Sequence, residues 1–503
     1  MIQGFMTGQI FQQLNTMQRS LVELVPGQVF QGKVLKLFPD NLATVQLGGL
    51  TVTARLETPL ELGQKTWLQV QPGGQPVTLK VISQPGKPNQ ASEDSMEGLA
   101  KALGASVTKE SLSLLQKAVE AGIPLRADSV RSFQQVSSEI GNEPEVEQAI
   151  LLAAKKGLPL TKETVLSLRA FAGNANLEGE MGKLLRLIQQ ALEKPGMLPN
   201  DMKESLQGLI TKAEGVRDAL AQAKQMLVPI QPNLQGSALT QTESPSIPAS
   251  SSQHNGQLSS LSANIGQPNA GVGEEMHQAA ASNGSVQGIK QALTELFEKL
   301  GLSHEKSIAQ LSSDQPAVET AKSSLLQLLQ HAKADLLPAQ LREHMQQIVH
   351  QLTGQQLMMS GDTGSGAFVQ VALQLPMPGQ EDGENALIQI ESRKQGDGEV
   401  DPENCRLFFY LSMQHMGETM LDVAIVNRIL SVTLYNEKEG VEELVRALRP
   451  SLEENLAEQG YRLSGLRVLD VTENRKETAA KPMSSLQPPS SSLVHYKGVD
   501  FRV

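Results

Sequence analysis

The feature that most constrains the fold is a change of hydrophobic period within residues 405–471. Apolar residues first alternate with polar ones, as in half-buried strands, and then recur every three or four residues, as on one side of a helix. Gly460 follows the helical stretch and ends it, and a last short strand comes after it. Because each apolar face needs a partner to leave water, this pattern predicts a compact C-terminal α+β domain with an antiparallel sheet. The alternating positions are Leu407, Phe409, Leu411, Met413, Leu421, Val423, Ile425, Leu430, Val432 and Leu434, and the helical ones are Val441, Leu444, Val445, Leu448, Leu452 and Leu456.

This segment resembles the C-terminal domain of the bacterial flagellar hook-length control protein family. The family pattern is a strand, a Leu-Gly turn, a β-hairpin, a helix with leucines four residues apart, and a closing Gly-hydrophobic-x-hydrophobic strand. Met413 departs from it where a proline is common, and Pro450 predicts a kink or a restart of the helix. The matching positions are Met416 and Gly417 at the turn, Leu444, Leu448 and Leu452 on the helix, and Gly460, Tyr461 and Leu463 in the closing motif.

The resemblance implies a non-enzymatic regulator of flagellum assembly. Such a protein controls hook length and switches the substrate specificity of type III export. The implied partner is the cytoplasmic domain of a flagellar export-gate protein, with hook or hook-cap subunits as further partners. The implied location is the cytoplasm, with export through the flagellar type III apparatus without a cleaved signal.

Two short segments are candidate partner-binding sites. At the turn formed by Met416, Gly417 and Glu418, we expect an exposed apolar side chain beside an acidic one, and a positive φ at the glycine. The C-terminal tail alternates apolar and charged residues, which favours addition of a strand to a sheet edge, although a disordered terminus fits equally well. The tail candidates are Val499, Asp500, Phe501 and Val503.

Composition limits the class of protein. A chain of 503 residues has room for three or more domains of about 100–200 residues. An aromatic content of 3% argues against one large enzyme core, and the single cysteine, Cys405, excludes a disulfide framework and a thiolate metal cluster. The sequence contains no run of about 18 apolar residues, so no membrane span is predicted. The first residues lack a basic region followed by an apolar stretch, so we expect no cleaved secretory signal.

Acidic residues are concentrated in the C-terminal domain. The formal net charge of the chain is −11, and residues 366–474 contain 9 Lys and Arg against 19 Asp and Glu. This balance disfavours binding of phosphate backbones there and suits a basic protein partner. An ordinary solvated surface is an equally good interpretation.

The N-terminal residues predict a small β-barrel after an amphipathic segment. Residues 1–25 have apolar side chains three or four apart, which fits a docking helix, or equally the uncleaved export signal that the resemblance implies. Residues 26–84 contain five short strand patterns separated by turns, as in OB or SH3-like barrels, which often bind nucleic acid. The barrel needs its aromatic residues for its own core, and no arginine-rich run accompanies them, so nucleic acid is the disfavoured partner. The residues that would supply stacking and charge are Phe30, Phe38, Trp67, Lys33, Lys36 and Lys80.

The middle of the chain predicts helices on both sides of a linker. Repeated frames of a glycine followed by a helix start indicate short packed helices. Ser, Gln, Pro, Gly and Asn then dominate a stretch with too few apolar residues to fold. The predicted parts are a helical repeat-like region at 96–228, a disordered linker at 229–287, a helical lead-in at 288–354, the α+β domain at 364–474 and a flexible tail at 475–503.

The sequence offers no convincing catalytic, cofactor or metal site. Asp362-Thr363-Gly364-Ser365 matches the aspartic-protease signature, but no second copy and no preceding apolar strand accompany it, so we interpret it as a loop. His344 and His350 are six residues apart, on different sides of a helix, and are interpreted as surface residues. We therefore expect a protein that is not an enzyme. The alternative function is a cytosolic adaptor or nucleic-acid-associated scaffold that acts through the N-terminal barrel.

Overall fold

The structure is a computed structural model, and it confirms the predicted fold class: a barrel, a helical middle, and a C-terminal sheet with a helix. The amphipathic segment before Leu24, the Asp362-Thr363-Gly364-Ser365 motif and the C-terminal tail lie outside the described residues. The structure describes residues 24, 26–47, 50–73, 76–82, 93–121, 123–173, 175–194, 198–227, 274–302, 319–360, 368–377, 385–395, 399–413 and 415–469.

Five short strands close into the N-terminal barrel. Their order is β1-β2-β3-β5-β4, and β1 also pairs antiparallel with β4, which completes the ring. Alternate residues of each strand point inward, and Val45, Leu68 and Leu79 are fully buried in the barrel core. The strands are β1 (Val29–Leu37), β2 (Leu42–Leu47), β3 (Leu50–Leu56), β4 (Lys65–Val70) and β5 (Thr78–Val81).

The helical middle consists of amphipathic helices that bury one side each. The starts of α2 and α5 are capped by Thr108 and Thr161, whose hydroxyls accept hydrogen bonds from backbone N–H groups in the first turn. The helices are α1 (Glu93–Ala102), α2 (Lys109–Glu120), α3 (Ala127–Ile140), α4 (Pro144–Lys155), α5 (Lys162–Ala172), α6 (Leu177–Leu192), α7 (Asn200–Leu227), α8 (Glu274–Leu300), α9 (Ala321–Gln330) and α10 (Ala339–Met359).

The start of α8 corrects the linker prediction. Residues 229–287 were expected to be disordered, but the helix already begins at Glu274. The residues from 274 to 281 include Glu, Met, Gln and three Ala, all with high helix propensity, and this local preference outweighs the low apolar content. The rest of the predicted linker, up to residue 273, lies outside the described residues.

A hydrophobic core in the first helices connects the barrel with the C-terminal sheet. It contains buried residues of α1–α5 together with Val29 and Trp67 of the barrel. Ala372 and Leu387 of the sheet pack into the same core. The helices therefore cover one side of the barrel and part of one face of the sheet.

The C-terminal sheet has six strands in the order β11-β10-β9-β8-β7-β6. All neighbours are antiparallel except β10 and β11, which are parallel because α11 connects them as a crossover. The expectation of an antiparallel sheet is thus correct for every pair but the last. Helix α11 runs through Pro450 without a break, so the predicted restart does not occur. The elements are β6 (Phe368–Pro376), β7 (Asn385–Gln395), β8 (Glu399–Met413), β9 (Gly417–Val426), β10 (Ile429–Tyr435), α11 (Val441–Glu458) and β11 (Arg462–Leu469).

Polar side chains hold the sheet against the helices. Buried Lys156, after α4, donates from Nζ to the carbonyl of Gln370 in β6 at 2.8 Å. The side-chain amide of Gln374 donates to the carbonyl of Phe171 at 2.6 Å. These bonds satisfy backbone carbonyls that would otherwise lose water without a replacement.

Helix α10 crosses α5 at close range. A Cβ at Gly354 of α10 would lie 2.2 Å from the carbonyl oxygen of Ser167 and 2.8 Å from Cβ of Phe171. Both obstructing atoms lie on or next to the backbone, so a rotamer change cannot remove the clash. Only glycine lets the two helices approach this closely.

We predict that Gly354→Ala lowers the free energy of unfolding by about 1–3 kcal/mol, because the added methyl overpacks the crossing. Gly208→Ala in α7 is the matched control, since nothing lies within 4 Å of its added Cβ. That substitution should stabilise the protein by about 0.5–1 kcal/mol through helix propensity. Urea unfolding monitored by circular dichroism measures both, and equal effects of the two changes would contradict the assigned crossing.

Candidate nucleic-acid interface

The helical core decides which side of the barrel remains open. Trp67 lies on the outer side of β4, yet only 3% of it is exposed because it packs against the helices. Beside it, the backbone N–H of Val29 donates to the carbonyl of Leu125 at 2.9 Å and forms an isolated β-bridge. None of the described residues covers the outer face of β1–β3 in this way, and Gln31, Gln46 and the residues described below are exposed there.

The open face of the barrel is basic. The three strands β1–β3 contain Lys33, Lys36 and Arg55 and no acidic residue. Lys65, the first residue of β4, pairs directly with Lys33 across the sheet, and all four side chains are exposed. Within the described part of the chain, none of these four forms an ion pair. Their charges are therefore available to an external anion.

Hydrogen-bonding side chains lie between these basic residues. Gln46 of β2 is opposite Lys33, and Thr51 of β3 is opposite Gln46. One row further along, Thr44 is opposite Lys36 and Thr53. Hydroxyl and amide groups in such rows are suited to phosphate and sugar oxygens, which take most hydrogen bonds in protein–nucleic acid contacts.

A bulge and a tight turn place an aromatic ring at the end of this face. The register of β1 against β2 shifts between Val34 and Lys36. The hairpin then turns through Asp40 and Asn41, whose φ angles of 62° and 58° match a type I′ turn. Phe38 lies just before the turn and 46% of it is exposed. In OB barrels this first loop and the adjacent strands form the usual oligonucleotide surface.

The structure divides the six barrel residues singled out in the sequence. Three of them, Lys33, Lys36 and Phe38, are exposed and share one side of the barrel. Trp67 is buried, and therefore not available to stack on a base, but it packs against the helices and not in the barrel core. Phe30 is half-buried against the barrel core, and Lys80 lies on β5 on the other side of the ring.

Sequence reasoning missed two residues of the open face, Lys65 and Arg55. Lys65 matters because of its pairing with Lys33, which only the register of β1 against β4 reveals. Alternation within β3 was a usable signal for Arg55, since Ala54 and Leu56 point inward and the residue between them must point outward.

The second candidate site, the turn before β9, is well ordered by hydrogen bonds. Gly417 has a φ of +68°, as the sequence predicts. Met416 is half-buried rather than exposed, whereas Glu418 is exposed. Asn436, which sequence reasoning missed, donates from its side-chain amide to the carbonyls of Met416 at 3.0 Å and Glu418 at 3.3 Å. Asn436 could have been found as a turn residue, because it forms an Asx turn in which its Oδ1 accepts the backbone N–H of Lys438 at 2.8 Å.

The remaining candidates give less. Val499, Asp500, Phe501 and Val503 lie outside the described residues. The interpretation of His344 as a surface residue is wrong: only 3% is exposed, and its Nδ1 lies 3.4 Å from a carboxylate oxygen of Glu180 on α6. Glu180 lies 164 residues before His344, so the periodicity of α10 alone cannot reveal this contact.

Burial also affects the second histidine, His350. Desolvation in its half-buried position lowers the pKa of His350 below the ordinary value.

Among the described residues, no group of His, Cys, Asp and Glu has the arrangement of a metal site. Of the described helices, none combines the length and the hydropathy needed to cross a membrane.

Comparisons with known proteins agree with the barrel geometry. The family described as "TP0910 S1-like domain" matches residues 3–80, which include β1 to β4 and all of β5 except its last residue. The chain is also 20% identical over 512 residues to "Uncharacterized protein YlqG" of Bacillus subtilis (strain 168), covering 86% of this chain and 88% of that protein. No solved structure matches the chain significantly. The N-terminal part of the chain is therefore similar to S1-like domains.

Proposed function

We propose that this chain is a non-enzymatic binding protein whose S1-like barrel binds single-stranded nucleic acid through the open face of β1–β3. The observation that carries this proposal is the direct pairing of two exposed lysines, Lys33 and Lys65, on neighbouring strands. The proposal revises the expectation from the sequence, which disfavoured nucleic acid because the aromatic residues were assigned to the barrel core and no arginine-rich run accompanies them.

Repulsion between the two lysines favours binding of a phosphate between them. Directly opposed residues of an antiparallel pair have Cβ atoms about 4.5–5.5 Å apart, and like charges in these positions destabilise the sheet. A phosphate held between Lys33 and Lys65 would replace this repulsion with two attractions. Lys36 and Arg55 extend the positive potential along the same face, so the backbone of a bound strand follows a row of basic side chains.

Phe38 provides the contact with a base. Its exposed ring lies at the end of the face where the first hairpin turns, beside the basic residues and not in the barrel core. Every base has a flat π-face, so stacking on this ring needs no particular sequence. The expected ligand is thus a short single strand, of about 4–16 nucleotides per barrel, without strong sequence preference.

We predict separable effects of charge and stacking on binding of fluorescently labelled oligo(U) and oligo(dT) to the full chain. Lys33→Gln with Lys65→Gln should make the negative slope of log K against log salt less steep, by about 0.7 for each lost phosphate contact. Phe38→Ala should weaken binding by about 1–3 kcal/mol without changing that slope. Fluorescence anisotropy over a salt series measures both quantities.

Lys80→Gln is the matched control for charge. It removes an exposed lysine from β5 of the same barrel, away from the open face, and should leave affinity and salt slope unchanged. Thermal unfolding checks that the exposed residues can be changed without loss of the fold. The proposal fails if the wild-type chain binds neither oligonucleotide at low salt, or if Lys80→Gln weakens binding as much as the double lysine variant.

A second candidate function is hook-length control, with the C-terminal domain as the module that contacts the export gate. It is favoured by the order of elements from β8 to β11: strand, turn, hairpin, helix and strand, as in the hook-length control family that this segment resembles. Gly417 also has the left-handed conformation at the turn. In this case the protein works in the cytoplasm and its N-terminal segment serves as an uncleaved export signal. The linker predicted at 229–287 then sets how far the chain extends.

For this second candidate we predict overlong hooks in a flagellated host when Met416→Asp, or deletion of residues 495–503, replaces the chromosomal gene. The charged side chain would remove an apolar contact at the turn, and the deletion would remove the strand-adding tail. Electron microscopy of isolated hooks measures length, and immunoblotting confirms that protein levels are normal. Normal motility and hook length in both strains would exclude these residues from the switch.

A further inference from the structure

Helix α11 exposes leucines that its own fold does not use. Val441 at its start is buried, Leu452 is half-buried, and half-buried Leu456 packs against the sheet. In contrast, 45% of Leu444 and 42% of Leu448 are exposed. These two residues are four apart, so they lie next to each other on one side of the helix, about 40° apart around its axis.

The charges on the two sides of α11 differ. On the side remote from the exposed leucines, Arg446 pairs with Glu442 at 3.0 Å and Arg449 with Glu453 at 2.7 Å. This side is therefore close to neutral.

On the leucine side the acidic residues are unpaired. At about 100° and 1.5 Å per residue, Glu458 and Glu454 lie about 40° and 80° around the axis from Leu444 and about 21 and 15 Å further along it, on the side away from Leu456, which packs on the sheet. Both are exposed, and neither forms an ion pair within the described residues. The exposed leucines thus have a buried apolar face on one side and uncompensated negative charge on the other.

We infer that this side of α11, defined by Leu444, Leu448, Glu454 and Glu458, is a docking surface for a basic amphipathic helix of another protein. The inference goes beyond nucleic-acid binding and uses no residue of the barrel. Two apolar anchors four residues apart are the pattern by which helices pack against each other. Lysines or arginines beside the partner's apolar stripe would pair with the two glutamates.

Charge selects this partner over the other possible occupants. Nucleic acid and anionic membranes are repelled by Glu454 and Glu458, and so is the equivalent α11 surface of a second copy. A neutral apolar segment would leave both carboxylates without compensation at the rim of the interface. Opposite charges at the rim also accelerate association, because they steer the partner towards the surface.

The test uses the full chain and a synthetic peptide of about 18 residues with leucines on one helical side and lysines on the other. Fluorescence anisotropy should show saturable binding. The same peptide with glutamate in place of lysine should not bind, and a permuted peptide of equal composition without a continuous leucine stripe should bind at least about tenfold more weakly.

Two matched variant pairs locate the surface. Glu454→Gln with Glu458→Gln should weaken peptide binding about tenfold, whereas Glu442→Gln with Glu453→Gln removes the same charge from the other side and should change it less than about twofold. Leu444→Gln with Leu448→Gln should also weaken binding about tenfold, and because both leucines are exposed the thermal unfolding should not change. Oligonucleotide binding should be identical in all of these variants, which separates a failure here from a failure of the barrel proposal.

The inference is overturned if the peptide does not bind, or if the two glutamate pairs weaken binding equally. It is also overturned if sedimentation shows a dimer of the chain that Leu444→Gln with Leu448→Gln dissociates, since a second copy would then be the occupant. Binding of anionic vesicles that depends on the two leucines would likewise identify a membrane and not a protein partner.

Discussion

The burial of Trp67 and Val29 against the first helices is the interaction on which the arrangement of this protein depends. A large aromatic side chain removes about 150–250 Å² from water on burial, at about 25 cal/mol for each Å² of apolar surface. That contribution, with the bridge from Val29 to Leu125, attaches the β4 side of the barrel to the helical core. Since the described part of the chain covers only this side of the ring, the basic face of β1–β3 is the one left to a ligand.

The C-terminal sheet is covered from opposite faces at its two ends. Near β6 and β7, Ala372 and Leu387 pack into the helical core, whereas α11 covers the other face near β10 and β11. Polar groups are also buried at this contact with the helices: the amide of Gln389 and the hydroxyl of Tyr410 have no hydrogen-bond partner among the described residues. Burial raises the pKa of Tyr410 far above the ordinary value, so this hydroxyl stays neutral. Unpaired buried groups cost about 1–3 kcal/mol each, which the apolar contacts and the bonds of Lys156 and Gln374 offset.

Local pattern predicted the elements of this fold, and non-local packing decided the rest. The five barrel strands, the C-terminal strands and the positive φ of Gly417 follow from alternation and turn chemistry within short windows. The burial of Trp67 and His344 does not, because each is covered by an element far away in the chain. The pairing of Lys33 with Lys65 depends on strand register, which no window of sequence contains. The helical start of α8 was missed for the opposite reason, since neighbouring low-complexity residues outweighed a short run of strong helix formers.

The net charge of −11 is a poor guide to what the barrel binds, because the charges are far from uniform. At physiological ionic strength the Debye length is about 8 Å. Acidic residues of the C-terminal domain that lie further than this from the β1–β3 face therefore contribute little to the electrostatic potential there. At about 0.01 M salt the Debye length grows to about 30 Å, and the same acidic residues then oppose the approach of a nucleic acid. Lowering the salt therefore strengthens the local attraction of Lys33, Lys36, Arg55 and Lys65 and also the repulsion from the rest of the chain. For such a protein the salt dependence of binding reflects both domains, and only the difference between barrel variants isolates the contribution of the open face.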